Sequence, residues 1–248
     1  MSKVSFHKVW IRFCVSGLIA AGFCSLSGCA QKRQDFAAFP RDAVEVLERA
    51  IVIPPGSYEI GSEEPGCFTN SMFTTDGYLL WPVEVPRSWW EKFRPSQQHS
   101  TDQQAAPVTT ISHDDAVAFC AWFSKKLKIK ARLPTREEWE IAARAGTPGV
   151  MYPWGWGAPR GRSVYDAEGV SPVASLEANP WGFFDMAGNV AEWTASAGES
   201  NEVAVMGGSW AERDPRYLRI SHALWLRKDY QNADVGFRIL IEPDYVAR

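Results

Sequence analysis

The chain has 248 residues, a formal net charge of −3 and 46% hydrophobic residues, enough for one sizeable domain. A mildly acidic chain with no basic block argues against nucleic-acid binding. Twelve Trp and 19 Gly point to an aromatic-packed, loop-rich domain rather than a helix bundle.

At the N-terminus, Lys3, Lys8 and Arg12 precede an apolar run, Phe13 to Leu26, which ends in Leu26-Ser27-Gly28-Cys29. Basic, then apolar, then small residues is the order of a secretory signal. The run is too short and too rich in Gly and Ser for a secure membrane span. L-S-G-C also resembles the bacterial lipobox, in which the Cys becomes the lipidated first residue; an ordinary cleaved signal is the alternative. Residues 1–28 are therefore read as a lipoprotein signal and Cys29 as the point of attachment, tethering the domain to a membrane without spanning it. Ala30, rather than Asp, follows Cys29 and points to the outer membrane, with the domain facing the periplasm. Removal of residues 1–28 takes away three positive charges and no acid, leaving −6.

Residues 29–50 read as a tether with a short helix over 41–49. Residues 51–248 read as the domain. Ile51 to Ser62 has the pattern of a strand, a Pro-Gly turn and a second strand. Val83 to Phe93 fits a strand and then a helix, with Ser88 as its cap and Trp89, Trp90 and Phe93 facing inward. Gln97 to Ala106 is polar and reads as a mobile loop. Ser112 to Asp115 has capping-box spacing. Ala116, Phe119, Cys120, Phe123 and Leu127 follow at helical spacing, which predicts a helix over 113–127. A second box, Thr135 to Glu138, opens a helix with Trp139, Ala142 and Ala143 inward, stopped at Gly146. Residues 147–178 are loop-rich, and short strands are expected within 203–206 and 235–241.

The densest information lies in Asn179 to Trp193, N-P-W-G-F-F-D-M-A-G-N-V-A-E-W. Gly and Pro punctuate four large aromatics, and Asp185, Asn189 and Glu192 are oxygen donors in an apolar setting that require partners. Together with R-L-P-T-R-E-E-W-E-I-A-A-R-A-G upstream and G-G-S-W…V-G-F-R downstream, this run strongly resembles the formylglycine-generating enzyme (sulfatase-modifying factor) family. The resemblance covers about Ile51 to Ile241. It implies an α+β domain of the C-type-lectin-like variant fold, loop-rich with short strands and two main helices.

The family's oxidase activity depends on two cysteines shortly after G-G-S, which as thiolates suit Cu(I). Counting from Gly207-Gly208-Ser209, those slots hold Glu212 and Tyr217, and no cysteine follows Cys120. A carboxylate and a phenol supply neither a two-thiolate copper site nor a redox thiol, so no copper and no formylglycine formation are expected. Other signals of catalysis are absent: no H-E-x-x-H, no G-x-S-x-G, no Walker loop. The resemblance implies a calcium site at Asn189, Glu192 and the carbonyl of Val190; the alternative is that Asn189 caps a turn and Glu192 pairs with an arginine. Arg238 of G-F-R reads as a staple onto a carboxylate.

Glu212 and His222 are the candidate acid–base residues, against a solvated, salt-bridged loop. Trp210, Arg213 and Arg219 are candidates for a groove that in the family holds an extended peptide. Cys67 and Cys120 either pair in the oxidising envelope or stand as separate thiols. Two functions remain open. One is a lipid-anchored accessory module that binds an envelope protein or peptide segment, as implied by relatives that regulate type VI secretion signalling. The other is a periplasmic maturation enzyme of different chemistry, as implied by relatives in siderophore maturation.

Overall fold

The computed structural model describes residues 35–97 and 99–243; the signal segment and Cys29 lie outside them. Among the described residues short strands and four helices alternate: α1 (Ala43–Arg49), β1 (Ile51–Ile53), β2 (Gly56–Ile60), β3 (Ser71–Thr75), β4 (Tyr78–Leu80), α2 (Arg87–Phe93), α3 (His113–Leu127), β5 (Lys130–Arg132), α4 (Arg136–Arg144), β6 (Ala191–Ala197), β7 (Glu202–Met206), β8 (Ala223–Arg227), β9 (Val235–Gly236) and β10 (Leu240–Glu242). They form three sheets, ordered β1-β4-β10-β5, β2-β3 and β8-β7-β6-β9. Every strand pair is antiparallel except β6 with β9.

The two long helices begin where their capping boxes place them. The Ser112 hydroxyl accepts from Asp115 N–H at 3.1 Å, and the Asp115 carboxylate accepts from Ser112 N–H at 3.1 Å. Thr135 and Glu138 make the same reciprocal pair, at 3.2 and 2.8 Å. Each satisfies N–H groups that a helix start otherwise leaves bare. α4 ends at Ala145, in the left-handed region at φ 49°, one residue before Gly146.

The expected pair of strands within 51–62 forms, but its members separate. β1 pairs with β4 and β2 pairs with β3, so the Pro-Gly turn links two sheets. The 235–241 stretch divides in the same way, with β9 on one four-stranded sheet and β10 on the other. Residues 237–239 carry the chain between them, and Arg238 sits at that crossing. β6, the strand that leads out of G-N-V-A-E-W, has no alternation and is not legible as a strand; its first four residues are all buried.

Three expectations need correction. Ser88 does not cap α2; Pro86 occupies that position, and the Ser88 hydroxyl donates to the Ala37 carbonyl at 2.6 Å. The 97–106 stretch is tied down around Glu91, which accepts from His99 N–H (2.6 Å) and the Gln104 amide (2.9 and 3.0 Å), and it contains a 3₁₀ turn, Thr101–Gln103. Residues 35–50 are not a free tether. Phe36 is buried against Trp81 and Phe184, Phe39 packs edge-on to Trp89, and the Arg49 guanidinium lies 5.0 Å over Trp81. α1 is capped by Asp42, which accepts from Glu45 N–H at 2.9 Å.

Those rings join an aromatic core in which Trp89 stacks on Phe123 (5.6 Å) and Trp90 on Phe119 (5.8 Å). Burying a large apolar side chain contributes about 1.5–3 kcal/mol, and this layer takes up Trp81, Trp89 and Trp90 of the chain's twelve Trp. A second cluster, including Leu80, Trp139, Phe183, Met206 and Leu240, fills the space around α4. Among the described residues no helix is long and apolar enough to cross a membrane.

Candidate functional site

Two polar regions stand out, one sealed and one open. The sealed region is built from the Asn179–Trp193 run. Asn179 anchors it to the end of α4: its amide donates to the Ala142 carbonyl at 2.8 Å while its oxygen accepts from Trp181 and Phe183 N–H. The turn at Gly188 (φ 78°) is possible only without a side chain, because a Cβ there would lie 2.3 Å from Ser163 Oγ and the Val164 carbonyl.

Glu192, fully buried on β6, takes both forks of the buried Arg238 guanidinium, each at 2.6 Å, and its Oε2 also accepts from Trp139 Nε1–H at 2.8 Å. Arg238 further donates to the Pro82 and Phe184 carbonyls. One guanidinium thus ties β6, the 81–84 segment, the Phe184 loop and the β9–β10 crossing together. Burial alone would lower the Arg238 pKa; the Glu192 carboxylate outweighs this and raises it.

Asn189, held in the left-handed region at φ 61°, donates its amide to Glu84 Oε1 (2.9 Å) and accepts from Ser171 N–H (2.9 Å); its main-chain carbonyl accepts from Trp210 N–H (2.9 Å). Thus, of the residues expected to bind calcium with the Val190 carbonyl, the side chains of Asn189 and Glu192 are oriented by protein groups, and the Arg238 charge lies against Glu192. These residues do not fit a calcium site. Among the described residues no group of three or more His, Cys, Asp or Glu side chains could hold a metal ion.

Glu84 and Asp185 complete this centre. Burial, reinforced by Asp185 and Glu192, raises the Glu84 carboxyl well above its ordinary range, and burial pushes Asp185 up to about 6. The buried Oε2 of Glu84 has no hydrogen-bond partner. Three carboxylates around one guanidinium leave an excess of negative charge, which favours the protonated form of Glu84.

The open region is a cleft of about 360 Å³ whose walls come from the end of β2, the 61–70 loop, the end of α4, the 149–156 loop and 219–221. Its floor is a buried network in which one oxygen, Glu140 Oε2, has no partner. Glu140 Oε1 accepts from Gly61 N–H (2.7 Å), the Ser221 hydroxyl (2.8 Å) and Arg144 Nε–H (2.8 Å); Arg144 Nη2 donates to Ser221 Oγ (2.8 Å) and to the Gly61 carbonyl. Cys67 and Arg219 line the wall, and Glu63, Glu64 and Trp156 the mouth.

The candidate residues after G-G-S distribute unevenly. Arg219 lies in the cleft, bonded to Glu64 at 3.0 Å. His222 flanks it: its backbone bridges to Cys67, and its ring packs edge-on to Tyr217 at 5.0 Å. Burial, with help from the Arg219 charge, lowers the His222 pKa. Glu212 faces elsewhere. Its half-buried carboxyl is raised by burial and by Asp234 and Asp214, and its carbonyl accepts from Asp166 N–H at 2.8 Å. No side-chain hydrogen bond or ion pair joins Glu212 to His222 among the described residues, so the expected acid–base pair does not assemble. Arg213 points into solvent near Asp166, and Trp210 donates to the Ala233 carbonyl at 3.0 Å; neither lines the cleft.

Cys67 and Cys120 are separate free thiols. Burial raises both pKa values, so neither is a ready thiolate. Sequence reasoning missed Glu59, Glu63, Glu64, Arg144 and Trp156 as neighbours of one cleft. The only local signal was the acidic Glu63-Glu64 pair before Pro65-Gly66 in a stretch with no regular pattern.

The sulfatase-modifying factor enzyme 1-like domain family matches residues 35–243, which takes in the packed 35–50 segment. The chain is 38% identical over 181 residues to the inactive C-alpha-formylglycine-generating enzyme 2 of Bos taurus, covering 64% of this chain and 58% of that protein. The chain therefore spans little more than half the length of this relative. Among solved structures, it resembles Treponema denticola variable protein 1 with a TM-score of 0.73 at 20% identity, over 78% of this chain and 95% of that one. It also resembles PvdO from Pseudomonas aeruginosa with a TM-score of 0.65 at 20% identity, over 78% and 94%. Three motifs in order, the lectin-like α+β architecture and the match across nearly all described residues agree: the chain belongs to the sulfatase-modifying factor enzyme 1-like domain family.

Proposed function

We propose that this protein is a lipid-anchored accessory module of the bacterial cell envelope. Its domain binds a segment of another envelope protein and performs no copper-dependent oxidation. Cys29 carries the anchor, and the domain faces the periplasm from the outer membrane. The observation that carries this reading is the pairing of a lost chemistry with a retained cavity. Glu212 and Tyr217 occupy the two cysteine slots, while Arg219 and Cys67, next to the Tyr217–His222 pair, line an open cleft on a rigid floor. Partner classes of the kind found in envelope signalling, including type VI secretion pathways, are consistent with a module of this sort.

The alternative, a maturation enzyme working through Glu212 and His222, is supported less well because those side chains do not meet. A crosslinking pulldown from intact envelopes separates the two readings. Wild type, Glu212→Ala and His222→Ala are expected to recover the same dominant protein. Absence of a protein partner, with a small metabolite accumulating only in the two variants, would overturn the proposal. In the same cells a Cys29→Ser chain is expected to leave the membrane fraction; retention there would contradict the anchor.

A further inference from the structure

Positive charge is unevenly placed on this net-acidic chain. Six lysines lie among the described residues, and four of them, Lys125, Lys126, Lys128 and Lys130, fall where α3 ends and β5 begins. All four are exposed. None forms an ion pair among the described residues, in contrast to the neighbouring Arg132, which holds Glu138 and Glu242. Lys130 lies opposite Glu242 in the β5–β10 register, but that carboxylate is already bound by Arg132 at 2.8 Å. Lys125 and Lys126 complement the helix dipole from the last turn of α3. Lys128 and Lys130 lie beyond that turn, and capping does not explain them.

The cluster stands beside the place where the chain enters the domain. Lys126 Nζ lies 5.8 Å over the Trp122 ring, and Trp122 packs at 5.7 Å against Phe39. Phe39 belongs to the entry segment, which is fastened to the domain by Phe36 on Trp81 and by the Ser88 hydroxyl on the Ala37 carbonyl. Five residues, Ala30 to Gln34, separate Cys29 from Asp35; they include Lys32 and Arg33 and no acid. An extended chain advances about 3.3–3.6 Å per residue, so an acylated Cys29 keeps Asp35 within roughly 20 Å of the membrane. The fastened entry segment adds no slack to that reach. Lysines alone would mark only a solvated face. Placed beside the entry of so short a tether, they have a membrane surface as their neighbour.

We infer that the end of α3 and the start of β5 dock on the anionic phospholipid headgroups of the membrane that holds Cys29, with Lys125, Lys126, Lys128 and Lys130 as the contacts. Anionic lipid attracts such cations within a Debye length, about 8 Å at physiological ionic strength. The acyl group holds the domain at the surface and the lysines orient it. The inference rests on the reading of Cys29 as the anchor.

The first test adds the full acylated chain, purified from membranes, to preformed vesicles of phosphatidylcholine, alone or with about 30% phosphatidylglycerol. A membrane-impermeant amine-acylating reagent is applied briefly, and modification of each lysine is read by mass spectrometry. Lys228 is the internal reference. Its carbonyl accepts from His113 N–H at 3.0 Å, which places it at the opposite end of the 15-residue α3, about 20 Å away. In anionic vesicles, labelling of the four lysines relative to Lys228 is expected to fall about five-fold or more, and to recover in phosphatidylcholine alone or in about 0.5 M NaCl. Equal relative labelling in the two vesicle types, with the chain floating with both, would overturn the inference and leave the anchor standing. A chain that floats with neither would sink the anchor and the inference together. Low labelling in isolated envelopes but not in anionic vesicles would mean that a protein or the cell wall covers this face, and would also overturn the inference.

The second test compares amide hydrogen exchange over residues 125–132 in the two vesicle types. Wild type is expected to exchange more slowly on anionic vesicles. A Lys125→Gln/Lys126→Gln/Lys128→Gln/Lys130→Gln chain with an unchanged melting temperature is expected to lose that difference. Persistence of the difference in this variant would contradict docking through the lysines.

Discussion

The sealed centre and the open cleft are built from the same parts. Each has a buried Glu–Arg pair close to α4: Glu192 with Arg238 in one, Glu140 with Arg144 in the other. They differ in what lies beyond the pair. Around Arg238 the remaining polar groups turn inward onto backbone carbonyls, Asn189 and Trp139, and the chain closes over them. Beyond Arg144 the chain stays open, and Glu59 and Glu63 meet solvent without a cation. A buried pair completed on every side is structural; the same pair serving as a floor leaves its neighbours free to bind. The family motifs mark the first region, and the second is where this chain's own function is to be sought.

The largest expected effect breaks the sealed pair. Arg238→Leu leaves Glu192, Glu84 and Asp185 around an uncompensated hollow and should cost about 3–5 kcal/mol, read as a fall in the urea midpoint. A cost below about 1 kcal/mol would mean that the guanidinium does not hold the four segments together. Next comes Glu84→Gln, which sharpens the charge argument. The folded-state pKa of Glu84 is raised, so the folded chain keeps a proton that the unfolded chain releases. The stability from this group is full below the ordinary glutamate range and is lost as pH rises through the folded value. Glutamine does not titrate. Relative to wild type, Glu84→Gln should therefore gain stability between pH 5 and pH 8, by roughly 1–3 kcal/mol at the upper end. Parallel stability curves for the two proteins would contradict a raised Glu84 pKa.

Thr135→Ala and Ser112→Ala should each cost about 1 kcal/mol by baring a helix start, measured by thermal denaturation. Thr135→Ala also bears on the comparison itself, because α4 carries Trp139 to the sealed centre and Arg144 to the cleft. The smallest effect concerns calcium. With the Arg238 charge against Glu192, a chelator should move the melting temperature by less than about 1 °C. A bound ion at a hundred times its Kd would contribute about 2.7 kcal/mol and produce a shift of several degrees.

Much of the sealed region was legible in the sequence because its determinants are local. Two capping boxes placed α3 and α4. The embedded Asn189 and Glu192 announced that partners were required, and Arg238 was foreseen as a staple on a carboxylate. Which carboxylate it holds could not be read, because Glu192 lies 46 residues away. The sheets were harder. β1, β4, β5 and β10 are three residues each, too short to show a period of two, and β6 is buried on both faces. The cleft was not legible at all. Glu63, Arg144, Trp156 and Arg219 come from four separate stretches, and only packing of the 61–70 loop on Ser221 and α4 brings them together. The expected Glu212–His222 pair failed for the same reason in reverse, since closeness in sequence after G-G-S did not make the side chains neighbours.

The most direct test of the division between a structural centre and a binding cleft is partner recovery by a Glu63→Lys chain in the envelope crosslinking experiment, with its melting temperature measured alongside. Glu63 is exposed and unpaired, so the melting temperature should stay within about 2 °C of wild type while recovery of the protein partner falls about ten-fold or more. Recovery at the wild-type level from an equally stable Glu63→Lys chain would contradict the account and move the binding surface away from this cleft.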